Sequence, residues 1–111
     1  MRVFIPSIPD NIDLSDLRRH GPVIAIGGDA GVMQPQLSVE QMLAELHRQG
    51  FNCHEDSLVL AGRLVPVAMM LAAVSAVYER VNVFIFDARN SKYVHRTIDW
   101  SVVDSKTPFS P

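Results

Sequence analysis

The feature that most constrains this chain is a run of fourteen residues, 64–77, in which Ser75 is the one polar side chain. Pro66 stands near its start, and the pattern predicts a helix over residues 66–79. The run is well short of the roughly 20 residues that a membrane-spanning helix needs. A helix that is apolar nearly all round must be buried on more than one side, either within a domain or between subunits.

Composition favours burial of this helix between subunits over burial within one domain. The chain has 111 residues, 48% of them hydrophobic, which suffices for one core but leaves little material to cover a helix on two sides. We therefore expect a single domain over residues 1–104, a flexible tail over 105–111, and a homodimer or homotetramer that buries the apolar helix. The sequence shows no secretory signal, so we expect a cytoplasmic protein that does not enter a membrane.

Charge and cysteine content narrow the function classes. A formal net charge of −2 lacks the basic surface typical of proteins that bind duplex DNA. A small charged ligand, bound by a few local cations, remains compatible with it. The single cysteine, Cys53, excludes an internal disulfide framework and a zinc site built from cysteines.

Short apolar runs rich in β-branched residues predict five strands, with helical spacing between them. The strands are predicted at residues 2–8, 22–26, 58–61, 81–86 and 92–98, and the helices at 12–20, 38–49 and 66–79. The order β-α-β-α-β-α-β-β indicates the α/β class, a single compact domain with helices packed on a mixed β-sheet. Strands three and four should be parallel, and strands four and five should form a hairpin.

Local signals refine three of these elements. Pro6 favours an edge position for the first strand, whereas the unbroken apolar run at 22–26 is typical of a strand covered on both faces. Ser38 followed by Gln41 has the spacing of a capping box at the start of the second helix. Gly50, after a basic last turn, is placed for a left-handed helix end.

Residues that follow parallel strands share one edge of the sheet, where α/β proteins bind ligands. Gly62 and Arg63 precede the apolar helix, where an arginine fork and free backbone N–H groups favour a phosphate. The alternative is that Arg63 is an ordinary loop residue paired with a surface carboxylate. Asp87 and Arg89 follow the fourth strand. Asp87 could be a general base, a metal ligand, a hydroxyl acceptor, a turn residue or the ion-pair partner of Arg89.

Two further features lie near this edge. The glycine-rich segment 27–31 precedes its helix by too many residues to be a dinucleotide fingerprint, and we interpret it as a loop. His95, on the fifth strand, is the one histidine that we expect near Asp87, either as a catalytic group or as an ordinary surface side chain.

Three segments together resemble the small CRISPR-associated ring nucleases of type III systems. They are LAGRLVPVAMMLA at 60–72, VFIFDAR at 83–89 and KYV at 92–94. In that family a glycine shortly before Pro-Val-Ala begins an apolar helix, a strand ends in Asp-Pro-Arg or Asp-Pro-Lys, and a Tyr-Val-Val-like strand returns. The similarity covers about a third of the chain, and the order and spacing of the segments carry it.

The resemblance implies a Rossmann-like, CARF-related domain whose oligomers bind and cleave cyclic tetra-adenylate, with manganese as a supporting ion, and so damp antiviral signalling. Gly62, Arg63, Asp87 and Arg89 correspond to the family's ligand-binding positions. The family's helix histidines are missing from residues 71–80, and Ala88 replaces the proline of its turn. The resemblance therefore leaves binding without cleavage open beside ring-nuclease activity.

Two other functions remain as alternatives. A protein-interaction module would dock on a partner through the apolar helix 66–78. A metal-dependent phosphodiesterase would use Asp87 and His95 as its catalytic residues.

Overall fold

The computed structural model describes residues 1–27 and 33–103 of the chain. Within them, five strands form one mixed sheet in the order β2-β1-β3-β4-β5. The strands are β1 (Val3–Ile5), β2 (Val23–Ala25), β3 (Ser57–Leu60), β4 (Arg80–Asp87) and β5 (Lys92–Asp99). The first four are parallel and β5 is antiparallel to β4, which confirms the predicted mixed sheet, the parallel pairing of β3 with β4 and the hairpin.

Helices cover both faces of the sheet. They are α1 (Ser15–Arg18), α2 (Pro35–Arg48), α3 (Leu64–Val77) and α4 (Trp100–Val103). Side chains from α2 and α3 pack on one face around Phe4, Leu58 and Val83, whereas α1 packs on the other around Val59 and Phe84. The predicted order lacked α4, whose Trp100 packs against the α2–α3 core. Helices on both faces of a mostly parallel sheet define the α/β class, which the structure confirms.

The sheet reverses the expected positions of the first two strands. β1 pairs with both β2 and β3 and its three residues are fully buried, so the predicted edge position is wrong. Pro6 follows the last residue of β1, and its missing N–H therefore interrupts no hydrogen bond within the strand. β2 is the edge strand, with Ala25 exposed, so its expected burial on both faces is also wrong.

Helix α2 begins earlier than the sequence indicates. It starts at Pro35, with Gln34 as the N-cap residue, and Ser38 is a buried residue of its first turns rather than a cap. The capping-box prediction is therefore wrong, because Pro35 takes the first helical position, which suits its fixed φ. At the other end Gly50 has φ +70°, its N–H donates to His47, and the Phe51 N–H donates to Leu46. These two bonds form a Schellman motif and confirm the predicted left-handed end.

The apolar helix α3 begins two residues before the predicted start. It buries Pro66, Met70, Ala73 and Val74 against the sheet and α2. Its opposite side is open and carries Leu64, Val65, Ala68, Ala72 and Ala76, of which Leu64 and Val65 are 80% and 47% exposed. No helix among the described residues is long and apolar enough to cross a membrane. The expected tail over 105–111 lies outside the part of the chain that the structure describes.

Candidate functional site

The site is built on the edge of the sheet where the parallel strands end. Leu60 of β3 pairs with Ile85 of β4, so Gly62 and Arg63 follow the end of one strand, while Asp87 ends the neighbouring strand and Arg89 follows it. The sheet therefore brings the four predicted ligand residues to a common edge. Their role in binding stays a prediction.

The strand order places a crevice at this edge. The chain leaves β1 towards β2 on one side and leaves β3 towards β4 on the other, so the connections diverge between β1 and β3. Such a reversal opens a crevice that ligands of α/β proteins commonly occupy. Here it contains a recess of about 60 Å³ whose described lining residues include Pro6, Ser7, Gly62 and Arg63.

Gly62 and Arg63 form the mouth of this recess. Gly62 has φ +111°, a backbone conformation that residues with a side chain rarely adopt. A Cβ at this position would meet no atom within 4 Å. The backbone is consequently open to close approach by a ligand. Arg63 is the N-cap residue of α3 and is exposed, and its side chain has no ion pair or hydrogen bond within residues 1–27 and 33–103. The first turn of α3 contains no acidic residue, so the positive end of this helix has no neutralising side chain.

A larger pocket lies on the α1 side of the sheet and shares Ala61 with the recess. Its volume is about 400 Å³, within the range of small-molecule sites. Its described walls come from the segment that leads into α1, from Ala61, and from both strands of the β4–β5 hairpin. Its polar and aromatic lining side chains are Asp13, Asp16, Phe86, Ser91 and Tyr93.

Asp16 holds one wall of this pocket in place. Its Oδ2 accepts a 2.7 Å hydrogen bond from the Tyr93 N–H, which ties α1 to β5, and its Oδ1 accepts from Arg19. The hydrogen bond from the Tyr93 N–H contributes most to keeping the pKa of Asp16 below its usual value. Burial opposes this shift, and the Arg19 guanidinium adds to it. Tyr93 packs on Phe86 across the hairpin, with ring centroids 5.2 Å apart.

Asp87 is engaged in the turn that joins β4 to β5. Its two carboxylate oxygens accept the Arg89 N–H at 3.1 Å and Asn90 Nδ2 at 2.7 Å. The Asn90 bond is the main reason that the pKa of Asp87 lies below its usual value. Asp87 therefore has the turn role that its sequence left open, and it forms no ion pair with Arg89 among the described residues. The Arg89 side chain is exposed.

His95 lies away from this edge. It pairs with Phe84, three positions before Asp87, and its Nε2 is 3.1 Å from the Oγ of Ser57, the first residue of β3. His20 packs on the same Phe84 ring. Partial burial is the main reason that the pKa of His95 is lowered, and electrostatic repulsion from His20 and Arg96 lowers it further. The structure thus brings His95 to the amino ends of the strands and not beside Asp87, because consecutive strand residues advance along the sheet by about 3.3 Å each.

The described residues do not fit a resident manganese ion. Within the described ranges, no group of three or more histidine, cysteine, aspartate or glutamate side chains is arranged to hold a metal. Of the glycine-rich segment 27–31, Gly27 has φ +73°, and the remaining residues lie outside the described structure.

Sequence reasoning missed the larger pocket. Asp13, Ser15 and Asp16 follow the end of β1, but they stand in a segment that we interpreted through its apolar residues Ile12, Leu14 and Leu17. A usable signal was present, because polar residues after the first strand of an α/β sheet lie at the ligand-binding edge.

Comparison of the chain with protein-family models, with curated proteins and with solved structures finds no match.

Proposed function

We propose that this protein binds a cyclic oligoadenylate, most simply cyclic tetra-adenylate, at the carboxyl edge of its sheet, and sequesters or slowly degrades it in the cytoplasm. The observation that carries the proposal is the crevice between β1 and β3, where Gly62 and Arg63 open onto the start of α3 beside a pocket of about 400 Å³. This edge offers a cation and free N–H groups for phosphate next to a volume that suits a nucleoside. Removal of the messenger would damp type III CRISPR antiviral signalling.

Phosphate binding falls to the arginines and the start of α3. Arg63 has no competing carboxylate among the described residues, so its guanidinium is available for bidentate contact with phosphate oxygens. Arg89 follows the adjacent strand and offers a second cation. Two cations at one edge can bind the phosphates of a nucleotide although the overall charge of the chain is −2.

A homo-oligomer would suit a cyclic ligand. The open side of α3 exposes Leu64, Val65 and three alanines, and a second copy packed there would remove these side chains from water. An isologous dimer repeats its site across a two-fold axis, which matches a symmetric ring.

Sequestration is the better supported outcome. Cleavage would have the ribose 2′-hydroxyl attack the adjacent phosphorus while the bond to the 5′ oxygen breaks, leaving a 2′,3′-cyclic phosphate and a 5′-hydroxyl. A base must take the 2′ proton and an acid must protonate the 5′ oxygen. The carboxylate of Asp87 already accepts two bonds within its turn, and His95 lies towards the amino ends of the strands.

The decisive experiment measures retention of labelled cyclic tetra-adenylate by the full chain, followed by chromatography of the products. Arg63→Ala should weaken binding by about 10- to 150-fold, the loss expected for a hydrogen-bonded charged group. Arg80→Ala is the matched control, since this exposed arginine begins β4 at the opposite end of the sheet. The proposal is wrong if the protein retains no cyclic oligoadenylate of any ring size.

The exposed apolar side of α3 also favours a second candidate, a protein-interaction module that docks through this helix. That function predicts a monomer in the purified state and tolerance of Arg63→Ala. Sedimentation of the pure protein, combined with the binding measurement, separates the two functions.

A further inference from the structure

The pocket of about 400 Å³ differs in chemistry from the recess at Arg63, although Ala61 lines both. Its described lining residues include two carboxylates, Asp13 and Asp16, and neither lysine nor arginine. A phosphate would be repelled there, whereas a group that donates hydrogen bonds would be attracted. The two cavities therefore suit opposite ends of one ligand.

Tyr93 supplies an independent observation, a buried polar atom in the wall of the pocket that lacks a partner in the described ranges. This lining residue is 6% exposed, and its hydroxyl is shielded from solvent without a hydrogen-bond partner among the described residues. Buried hydroxyls are nearly always hydrogen-bonded, because water otherwise solvates them better than the protein does. A ligand with a polar ring atom can supply the missing partner.

The aromatic wall favours a planar ligand. Phe86 is 46% exposed and lies at a 59° tilt to the Tyr93 ring, so one aromatic surface faces outward beside a buried one. Nucleic-acid bases stack on such side chains.

Of the two carboxylates, Asp13 is the one free to contact a ligand. Both oxygens of Asp16 are engaged, one by the Tyr93 N–H and the other by Arg19. Asp13 is exposed, accepts the Ser15 N–H at 2.9 Å and belongs to no ion pair in the described ranges. Hydrogen bonds from Ser15, mainly that of its backbone N–H, lower the pKa of Asp13. The carboxylate is therefore an ionised acceptor at neutral pH.

We propose that this pocket binds a base through an edge that carries an exocyclic amino group, with Asp13 accepting from the amino group and Tyr93 bonding a ring nitrogen. This inference rests on the proposed function and defines its specificity. An ionised carboxylate accepts hydrogen bonds and donates none, so a base with an oxo group at the same position meets a repulsive oxygen–oxygen contact. Asp13 is thus a specificity-determining residue that separates amino-bearing from oxo-bearing rings.

The test compares cyclic tetra-adenylate with cyclic tetra-inosinate, in which each amino group is replaced by an oxo group. The wild-type protein should prefer the adenylate at least tenfold, since a site built to pair a donor rejects an analogue that lacks it. Asp13→Asn should reduce the preference below about threefold, because an amide both donates and accepts. Asp10→Asn, which changes an exposed carboxylate outside the described lining of the pocket, should leave the preference unchanged.

Tyr93→Phe provides a second readout. It should lower the affinity for cyclic tetra-adenylate about 3- to 10-fold, the range for one lost hydrogen bond. The thermal midpoint of the ligand-free protein should not fall, because the variant removes a buried hydroxyl that has no partner in the described structure. A lower midpoint with unchanged affinity would overturn the role of Tyr93.

The remaining outcomes separate the two proposals. If both rings bind the wild-type protein equally, the amino-group inference is wrong while the proposed function stands. If Asp13→Asn keeps the full preference, Asp13 is not the discriminating residue. If neither ring binds, the proposed function fails and this inference fails with it.

Discussion

Replacing Asp56 by asparagine should destabilise the fold more than any other single charge removal among the described residues. Asp56 is 3% exposed and directly precedes β3. Its carboxylate accepts four hydrogen bonds, from the N–H, Nε and Nη2 of Arg2 and from the Asn52 N–H, at 2.8 to 3.3 Å. The same guanidinium donates to the carbonyls of Gln49 and Gly50. One carboxylate thus connects the residue before β1, the end of α2 and the start of β3.

The magnitude follows from the bonds that an amide cannot accept. Asparagine keeps one acceptor oxygen and presents an NH₂ group to donors that the second oxygen served, Arg2 Nη2 and the Asn52 N–H. Each buried donor left without an acceptor costs about 1–3 kcal/mol. The Arg2 side chain is 31% exposed, so water replaces part of its loss, and we expect about 3 kcal/mol in the free energy of unfolding. For a domain of this size the melting temperature should fall by roughly 10–20 °C.

The effect should depend on pH in a defined direction. Burial alone would raise the pKa of Asp56, but the hydrogen bonds from Arg2 and Asn52 lower it below its ordinary value. A carboxyl whose folded pKa is lowered contributes stability above the unfolded pKa of about 3.9, and this contribution is lost as the pH falls through the lower folded value. The difference between wild type and Asp56→Asn should therefore be full at pH 7 and should shrink below about pH 4.

Urea unfolding followed by circular dichroism at pH 7 and pH 3.5 measures both effects. Asp10→Asn is the control, because Asp10 is exposed and has no side-chain partner in the described structure, and it should change stability by less than about 0.5 kcal/mol. A loss below about 1 kcal/mol for Asp56→Asn at pH 7, or an equal loss at both pH values, would refute the reasoning.

Two further predictions concern α3 and the core. Met70→Ala should cost about 2–5 kcal/mol in urea unfolding because Met70 is fully buried, whereas Met33→Ala should cost almost nothing at a side chain 90% exposed; equal effects would contradict this account of the core. Leu64→Gln combined with Val65→Gln should weaken self-association in sedimentation while leaving the melting temperature nearly unchanged, since both side chains are exposed in one chain. Unchanged association would remove α3 from the subunit interface.

Local sequence patterns were sufficient for several elements. The hairpin of β4 and β5, the left-handed helix end at Gly50 and the apolar character of α3 each depend on residues close together in the chain. The position of Arg63 before α3 also follows from the order of strand, glycine and apolar run. Short-range backbone preferences and side-chain spacing carry these predictions.

Local patterns gave wrong predictions for positions in the fold that depend on residues distant in the chain. Pro6 suggested an edge strand, yet β1 is central because β2 and β3 pair on its two sides and Pro6 lies just beyond the paired residues. Ser38 suggested a helix start, but Pro35 begins α2 and Ser38 is buried within it. His95 is close to Asp87 along the chain, whereas the antiparallel register carries it towards Ser57.

The sequence by itself therefore determined the class of fold and the residues available at the ends of β3 and β4. Only the tertiary structure created the larger pocket, because Asp13 and Tyr93 are eighty positions apart and meet through the hydrogen bond that joins Asp16 to β5. The same packing covers one side of α3 and leaves the other open. Local propensity acts over a few residues, whereas a cavity needs walls from several elements, and their placement depends on how the whole sheet is paired.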